Sequence, residues 1–107
     1  MPRARRTGMM TLEVGMIAEI AVTPQLDGSS RKAIRQVVDD IAATGLTYQV
    51  TPTGTCVEGE SERILDAVGR VVEGLRARGI ERAVIELRLV MEPHPETLPH
   101  HIDGLTR

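Results

Sequence analysis

The sequence predicts an α+β domain of element order β-α-β-β-α-β, an antiparallel sheet covered on one face by two helices. Three observations predict it. Two amphipathic stretches each end in a glycine followed by an apolar residue, at Gly45-Leu46 and Gly79-Ile80. Each of these stops leads into a segment of β-favouring residues. Between the two amphipathic stretches lies a hairpin signal, Pro52-Thr53-Gly54, flanked by Tyr48-Gln49-Val50 and Thr55-Cys56-Val57.

The elements follow in order. From Gly15 to Val22 the run G-M-I-A-E-I-A-V suits a buried strand, and Thr23-Pro24 ends it. Asp27-Gly28-Ser29-Ser30 supplies turn residues and a helix cap. The first helix follows, with Ile34, Val37, Val38 and Ile41 on one face and Arg31, Lys32, Arg35, Asp39 and Asp40 off it. Gly45, in the left-handed position that closes a helix, stops it, and Leu46 packs back on the last turn. Tyr48 and Val50 favour extended chain, Pro52 and Gly54 punctuate it, and Thr55-Cys56-Val57 resumes it. Glu58-Gly59-Glu60-Ser61 then leads into the second helix, so Glu58 is expected near a helix N-terminus, where backbone N–H groups favour a carboxylate.

The second helix carries Ile64, Leu65, Val68, Val71, Val72 and Leu75 as its apolar stripe. The last strand alternates, with Ala83, Ile85, Leu87, Leu89 and Met91 on the face expected to meet the helices and Val84, Glu86, Arg88 and Val90 on the other. Glu92-Pro93-His94-Pro95 breaks the pattern. Because helix, glycine, apolar residue and strand recur twice, two β-α-β units fold back on each other in a ferredoxin-like arrangement. The opposite sheet face, with Val84, Val90, Ile17 and Ala21 among charges, is too apolar for water, and a second subunit is expected to cover it.

Composition bounds the function. A chain of 107 residues with 41% hydrophobic and 26% charged residues is ordinary for one soluble domain. No apolar run approaches the ~20 residues that span a bilayer, and the protein is expected in the cytoplasm. The formal charge of −2 argues against a polyanion binder. Residues 1–14, with Arg3, Arg5 and Arg6, are read as an arm that is disordered or precedes the true start of translation; 15–92 is the domain and 93–107 a tail. Cys56 is the single cysteine, which excludes an internal disulfide and suits core filling better than catalysis. Tyr48 is the single aromatic residue, so stacking on a ligand ring falls to it or to an arginine plane.

An enzyme is disfavoured. His94, His100 and His101 lie in a proline-containing tail with no element to fix metal geometry, and neither a nucleophile motif nor a phosphate loop is present. Pro2 as a catalytic N-terminal amine is discounted because Arg3-Ala4-Arg5-Arg6 follows it instead of a strand. RNA binding on the sheet needs exposed aromatic residues that the strands lack. No metal or catalytic cofactor is expected. An amino-acid-sensing or other effector-binding module of the same topology, or a structural oligomer without ligand, stays open.

Four segments carry a resemblance: the first strand ending in Thr23-Pro24, the Gly45-Leu46-x-Tyr48 start of the second strand, Pro52-x-Gly54-Thr55-x-x-Glu58-Gly59, and Gly79-x-x-Arg82 before the last strand. Across about Met16 to Val90 the chain resembles the small thiamine-binding protein family of ferredoxin-like fold. The resemblance implies non-catalytic binding of thiamine, as ligand and not as cofactor, or of its hydroxymethylpyrimidine half, in a tetramer of sheet-to-sheet dimers. The chain departs from the family in having Val90-Met91-Glu92 where an arginine is common, and in a longer loop, Pro24-Gln25-Leu26-Asp27-Gly28.

The chemistry is suitable. An aminopyrimidine offers an N–H₂ donor beside ring-nitrogen acceptors, so a carboxylate and hydroxyls are fitting partners. The candidate ligand-binding residues are Glu58, accepting from the amino group, Thr55 and Thr53 as hydroxyls, Tyr48 as ring face or O–H, with Thr23, Pro24 and Gly59 shaping the surround. Each has a plainer alternative: Glu58 as a helix-start carboxylate, Tyr48 as a half-buried sheet residue, the threonines as strand and turn formers, Pro24 and Gly59 as backbone shapers.

Overall fold

The computed structural model describes residues 15–91. Pro2, the basic arm, and the three histidines of the tail lie outside the described residues. Within them the order is β1 (Met16–Pro24), α1 (Arg31–Ala42), β2 (Thr47–Thr51), β3 (Gly54–Gly59), α2 (Ser61–Ala77) and β4 (Ala83–Met91). The sheet order is β2-β3-β1-β4, with every neighbouring pair antiparallel. This is the ferredoxin-like fold expected from the sequence.

β1 runs two residues beyond the apolar stretch because β4 keeps pairing with it, to Thr23 opposite Val84 and Pro24 opposite Ala83. Pro24 is tolerated because β3 pairs with β1 only as far as Ile20 opposite Thr55, so no β3 carbonyl waits for its missing N–H. The loop then closes with the Gln25 N–H donating to the Arg82 carbonyl at 2.9 Å.

The helix termini follow the local sequence. Ser30 is the N-cap residue of α1, but Ser29 supplies the side-chain bond, its Oγ accepting the Arg31 N–H at 3.2 Å. Both stop glycines have positive φ, 82° at Gly45 and 82° at Gly79, a region that non-glycine residues avoid. At Gly79 the Ile80 N–H returns to the Leu75 carbonyl and the Gly79 N–H to Arg76, a Schellman closure with Ile80 packed near Leu75. At Gly45 a threonine substitutes: Thr44 Oγ1 donates to the Ile41 carbonyl at 2.6 Å and accepts the Leu46 N–H at 3.2 Å.

The core lies between the sheet and the helices. Ala18, Ile20, Val57 and Leu46 meet Val37 and Ile41 of α1 and Ile64, Ala67, Val71 and Leu75 of α2, all buried. Each fully buried aliphatic side chain of this size contributes about 1.5–3 kcal/mol relative to exposure. The helices run antiparallel, and two contacts tie them: Arg63 donates to the Thr44 carbonyl at 2.9 Å, and Arg78 pairs with Asp40 at 2.5 Å. Gly74 makes room for that pair, since a Cβ there would stand 2.3 Å from Asp40 Oδ2.

The alternation of β4 holds, but its burial does not extend along the whole strand. Ala83, Ile85 and Leu87 pack on the core, whereas Leu89 is 41% and Met91 82% exposed. The two helices leave the far end of this edge strand uncovered. On the opposite face Ile17 and Cys56 are fully buried and Val90 packs against them, a second small cluster, while Val84 is half-exposed.

Candidate functional site

The strand register assigns each candidate residue to a face. Tyr48 opposes Val57 and Val50 opposes Thr55, and Ala18 and Ile20 oppose Val57 and Thr55 from β1, so all of these share the helix-covered side. Glu58 opposes Ile17 and Thr47, which places it on the open side with Glu19, Cys56 and Thr51.

A cavity of about 230 Å³ opens on the helix-covered side between α1 and the β2–β3 hairpin. Ile34, Val37 and Val38 of α1 form one wall, Ile20, Val22 and Val50 of the sheet another, and Thr51, Pro52, Thr53, Gly54 and Thr55 wrap the hairpin end. α1 supplies a wall because its apolar stripe is wider than the core needs: Val37 is buried, while Ile34 and Val38 stay partly accessible.

The hairpin is held by one carboxylate and two threonines. Thr53 Oγ1 donates to Glu19 Oε2 at 2.5 Å, and Thr51 Oγ1 lies 3.3 Å from the same oxygen. Thr51 Oγ1 also accepts the N–H groups of Thr53 at 3.3 Å and Gly54 at 3.1 Å. Gly54 is needed for space, since a Cβ there would stand 2.7 Å from the Ile20 carbonyl oxygen. Thr55 is 4% exposed, and no hydrogen bond within the described residues engages its hydroxyl. Burial, reinforced by the neighbouring Glu19 carboxylate, pushes the Cys56 thiol above its ordinary range.

The predicted residues are therefore divided. Thr53 and Thr55 line the cavity together. Tyr48, 41% exposed, sits two residues from Val50 on the same face of edge strand β2, about 7 Å along the strand from the cavity wall. Gly59 leaves room for Leu46, whose Cδ2 would stand 2.6 Å from an added Cβ. Pro24 is buried at the end of β1 and Thr23 is exposed on the open side, about 20 Å along β1 from the Ile17 that faces Glu58. Glu58 is a strand residue; the residue at the N-cap of α2 is Glu60, and the acidic residue of the first helical turn is Glu62.

Sequence reading missed Glu19, Thr51 and the three α1 residues. Glu19 was a lone charge in an apolar strand, a signal that could have marked it. The α1 residues read as core because helical periodicity cannot separate a core face from a cavity wall. Among the described residues no group of three or more His, Cys, Asp or Glu could hold a metal ion, and no helix is long and apolar enough to cross a membrane.

Comparison with known proteins adds the relationship. A structure described as a putative thiamine biosynthesis/salvage protein from Thermotoga maritima superposes with a TM-score of 0.74 at 25% identity, covering 85% of this chain and 98% of that one. A domain of unknown function from Bacillus cereus gives 0.72 at 20% identity over 82% and 86% of the two chains, and a hypothetical protein from Methanocaldococcus jannascii 0.71 at 21% over 86% and 96%. These last two likenesses concern the fold alone. The search of curated proteins finds no significant match. The family profile described as thiamine-binding protein matches residues 18–98, most of the chain and all of the cavity lining, and this chain belongs to that family.

Proposed function

We propose that this protein binds thiamine or its hydroxymethylpyrimidine moiety without acting on it chemically, and that the ring lies in the cavity between α1 and the hairpin. The observation that carries this reading is the hydroxyl of the buried residue Thr55, which makes no hydrogen bond among the described residues, beside Thr53 in a cavity of about 230 Å³ walled by six aliphatic side chains and the hairpin, within a chain of the thiamine-binding family. An aliphatic cavity of roughly 150 Å³ holds benzene, and sites for drug-sized ligands start near 300 Å³, so this one suits a single substituted ring. In thiamine the second ring then lies outside, toward Tyr48 or solvent.

Several finer points belong to the same proposal. Thiamine is the ligand and not a catalytic cofactor, the protein acts in the cytoplasm, and the open sheet face joins subunits into a dimer or tetramer. The half-exposed Val84 on that face supports the last point.

Thermal unfolding with thiamine, hydroxymethylpyrimidine and a panel of amino acids tests the ligand class. A ligand at about 100 times its Kd stabilises the folded state by close to 2.7 kcal/mol. Stabilisation by an amino acid instead would move the protein to the effector-binding class, and none at all would leave a structural oligomer. The position of the ligand is tested by Thr55→Val, which keeps the shape and removes one hydroxyl. It should weaken binding about two- to tenfold, the range of a single net hydrogen bond, without lowering the melting temperature. Glu58→Gln should leave affinity unchanged. If Glu58→Gln weakens binding and Thr55→Val does not, the ligand lies on the open face.

A further inference from the structure

The sheet face away from the helices is sealed at one end and open at the other. Ile17 and Cys56 are both 0% exposed, whereas Val84 on the same face is 50% exposed and Thr23 opposite it is exposed as well. Neighbours within the sheet do not account for this difference. Ile17 has Glu58 and Val90 on its two sides, and Cys56 has Glu19 and Gln49. Side chains stand roughly perpendicular to a sheet, so such neighbours shield the flanks of an isoleucine and leave its tip to water. Full exclusion requires atoms lying over it. Among the described residues both helices pack on the other face, and the connections at the Ile17 end, 43–46 and Glu60, lead to those helices. The cover therefore comes from outside the described residues, and because the burial is that of a single chain it comes from residues 1–14 or 92–107.

Both segments leave from the sealed end, since Met16 pairs with Met91. Two observations favour the one after β4. The family profile runs to residue 98, past the end of β4 at Met91, but begins at residue 18, so the shared pattern takes in the start of the tail and leaves out the arm. In addition, Pro93 and Pro95 follow β4 at once. A segment crossing a sheet face finds no ladder for its amides, because the sheet's own hydrogen bonds lie in its plane. Prolines lack the N–H that would go unpaired and hold the chain extended. Reach is sufficient: from β4 over β1 to β3 is two strand spacings, roughly 10 Å, and the seven residues 92–98 span up to about 23 Å. Leu98 ends that stretch as its one aliphatic side chain apart from proline.

We infer that residues 92–98 turn back across this face as a strap over Val90, Ile17 and Cys56, with Leu98 sealing the cluster. The Thr23–Val84 half stays uncovered and is the part left for another subunit. The cavity lies on the other side of the sheet, so the strap is independent of the ligand-binding reading.

The single thiol, Cys56, reports on the strap. In the full chain its reaction with an aromatic disulfide reagent should be slow and independent of protein concentration. Leu98→Glu should speed it at least about tenfold, the change in an opening equilibrium expected from losing one buried leucine, with circular dichroism unchanged. Leu12→Glu, the same change in the arm, should leave the rate alone. A native thiol that reacts freely, a rate that Leu98→Glu does not raise, or one that Leu12→Glu raises instead overturns the inference. A rate that rises on dilution assigns the cover to a second copy and overturns it too. Should Leu98→Glu fail to fold, nuclear Overhauser contacts in the native protein decide: methyl contacts between Leu98 and Ile17 support the strap, and their absence overturns it.

Discussion

Cys56 shows how one position can be right in type and unexpected in setting. It fills space, as a lone thiol in a strand should, yet it does so on the sheet face away from the helices, fully buried with Ile17 and outside the main core. Burial and then Glu19 raise its pKa, so the folded state holds the thiol proton to higher pH than the unfolded chain. Stability from this difference is full below the unfolded pKa, about 8.5, and is lost as pH rises through the folded value. The stability difference between the native protein and Cys56→Ala should therefore narrow above about pH 8.5, measured by urea unfolding across pH 7 to 10. A constant difference over that range would mean that Glu19 and burial do not act on the thiol. At the same scale Thr55 was legible as a candidate and Glu19 was not, because a hydroxyl in a turn motif is visible in the chain while a partner 34 residues away is not.

At the scale of elements, the β2–β3 hairpin matters most, since it carries the cavity rim. Its glycines act by space and not by φ. A Cβ on Gly54 would meet the Ile20 carbonyl, which is backbone in a central strand, whereas one on Gly59 would meet the terminal methyl of Leu46. Backbone cannot step aside; a methyl can. Gly54→Ala is expected to cost about 1–3 kcal/mol and to reduce ligand affinity as the hairpin shifts, with Gly59→Ala costing less. Chemical denaturation of the two variants checks the order, and a costlier Gly59→Ala would contradict this account of the hairpin. The element boundaries were largely legible because helix stops, turn residues and alternation are local signals. The extension of β1 to Pro24 was not, because it depends on pairing with β4.

For the whole molecule, the open sheet face is where assembly would act. Val84 is 50% exposed there, opposite Thr23 and two residues from Glu86. A charge at that position should tolerate folding but not face-to-face packing. Light scattering should find the native protein as a dimer or tetramer and Val84→Glu as a monomer with unchanged circular dichroism; a native monomer would remove the sheet-to-sheet assembly.

The sequence by itself determined the order of elements, the helix stops and the alternation of the last strand, because each follows from neighbours within a few residues, and four spaced segments carried the family resemblance. Only the tertiary structure decided which candidates share a site. Thr53 and Thr55 meet α1 in one cavity, while the strand register turns Glu58 to the opposite face and sets Thr23 far along β1. It also brought Glu19 onto the hairpin. The physical reason is that alternation gives two faces without saying what covers either, and that contacts between strands far apart in the chain leave no periodic trace in it.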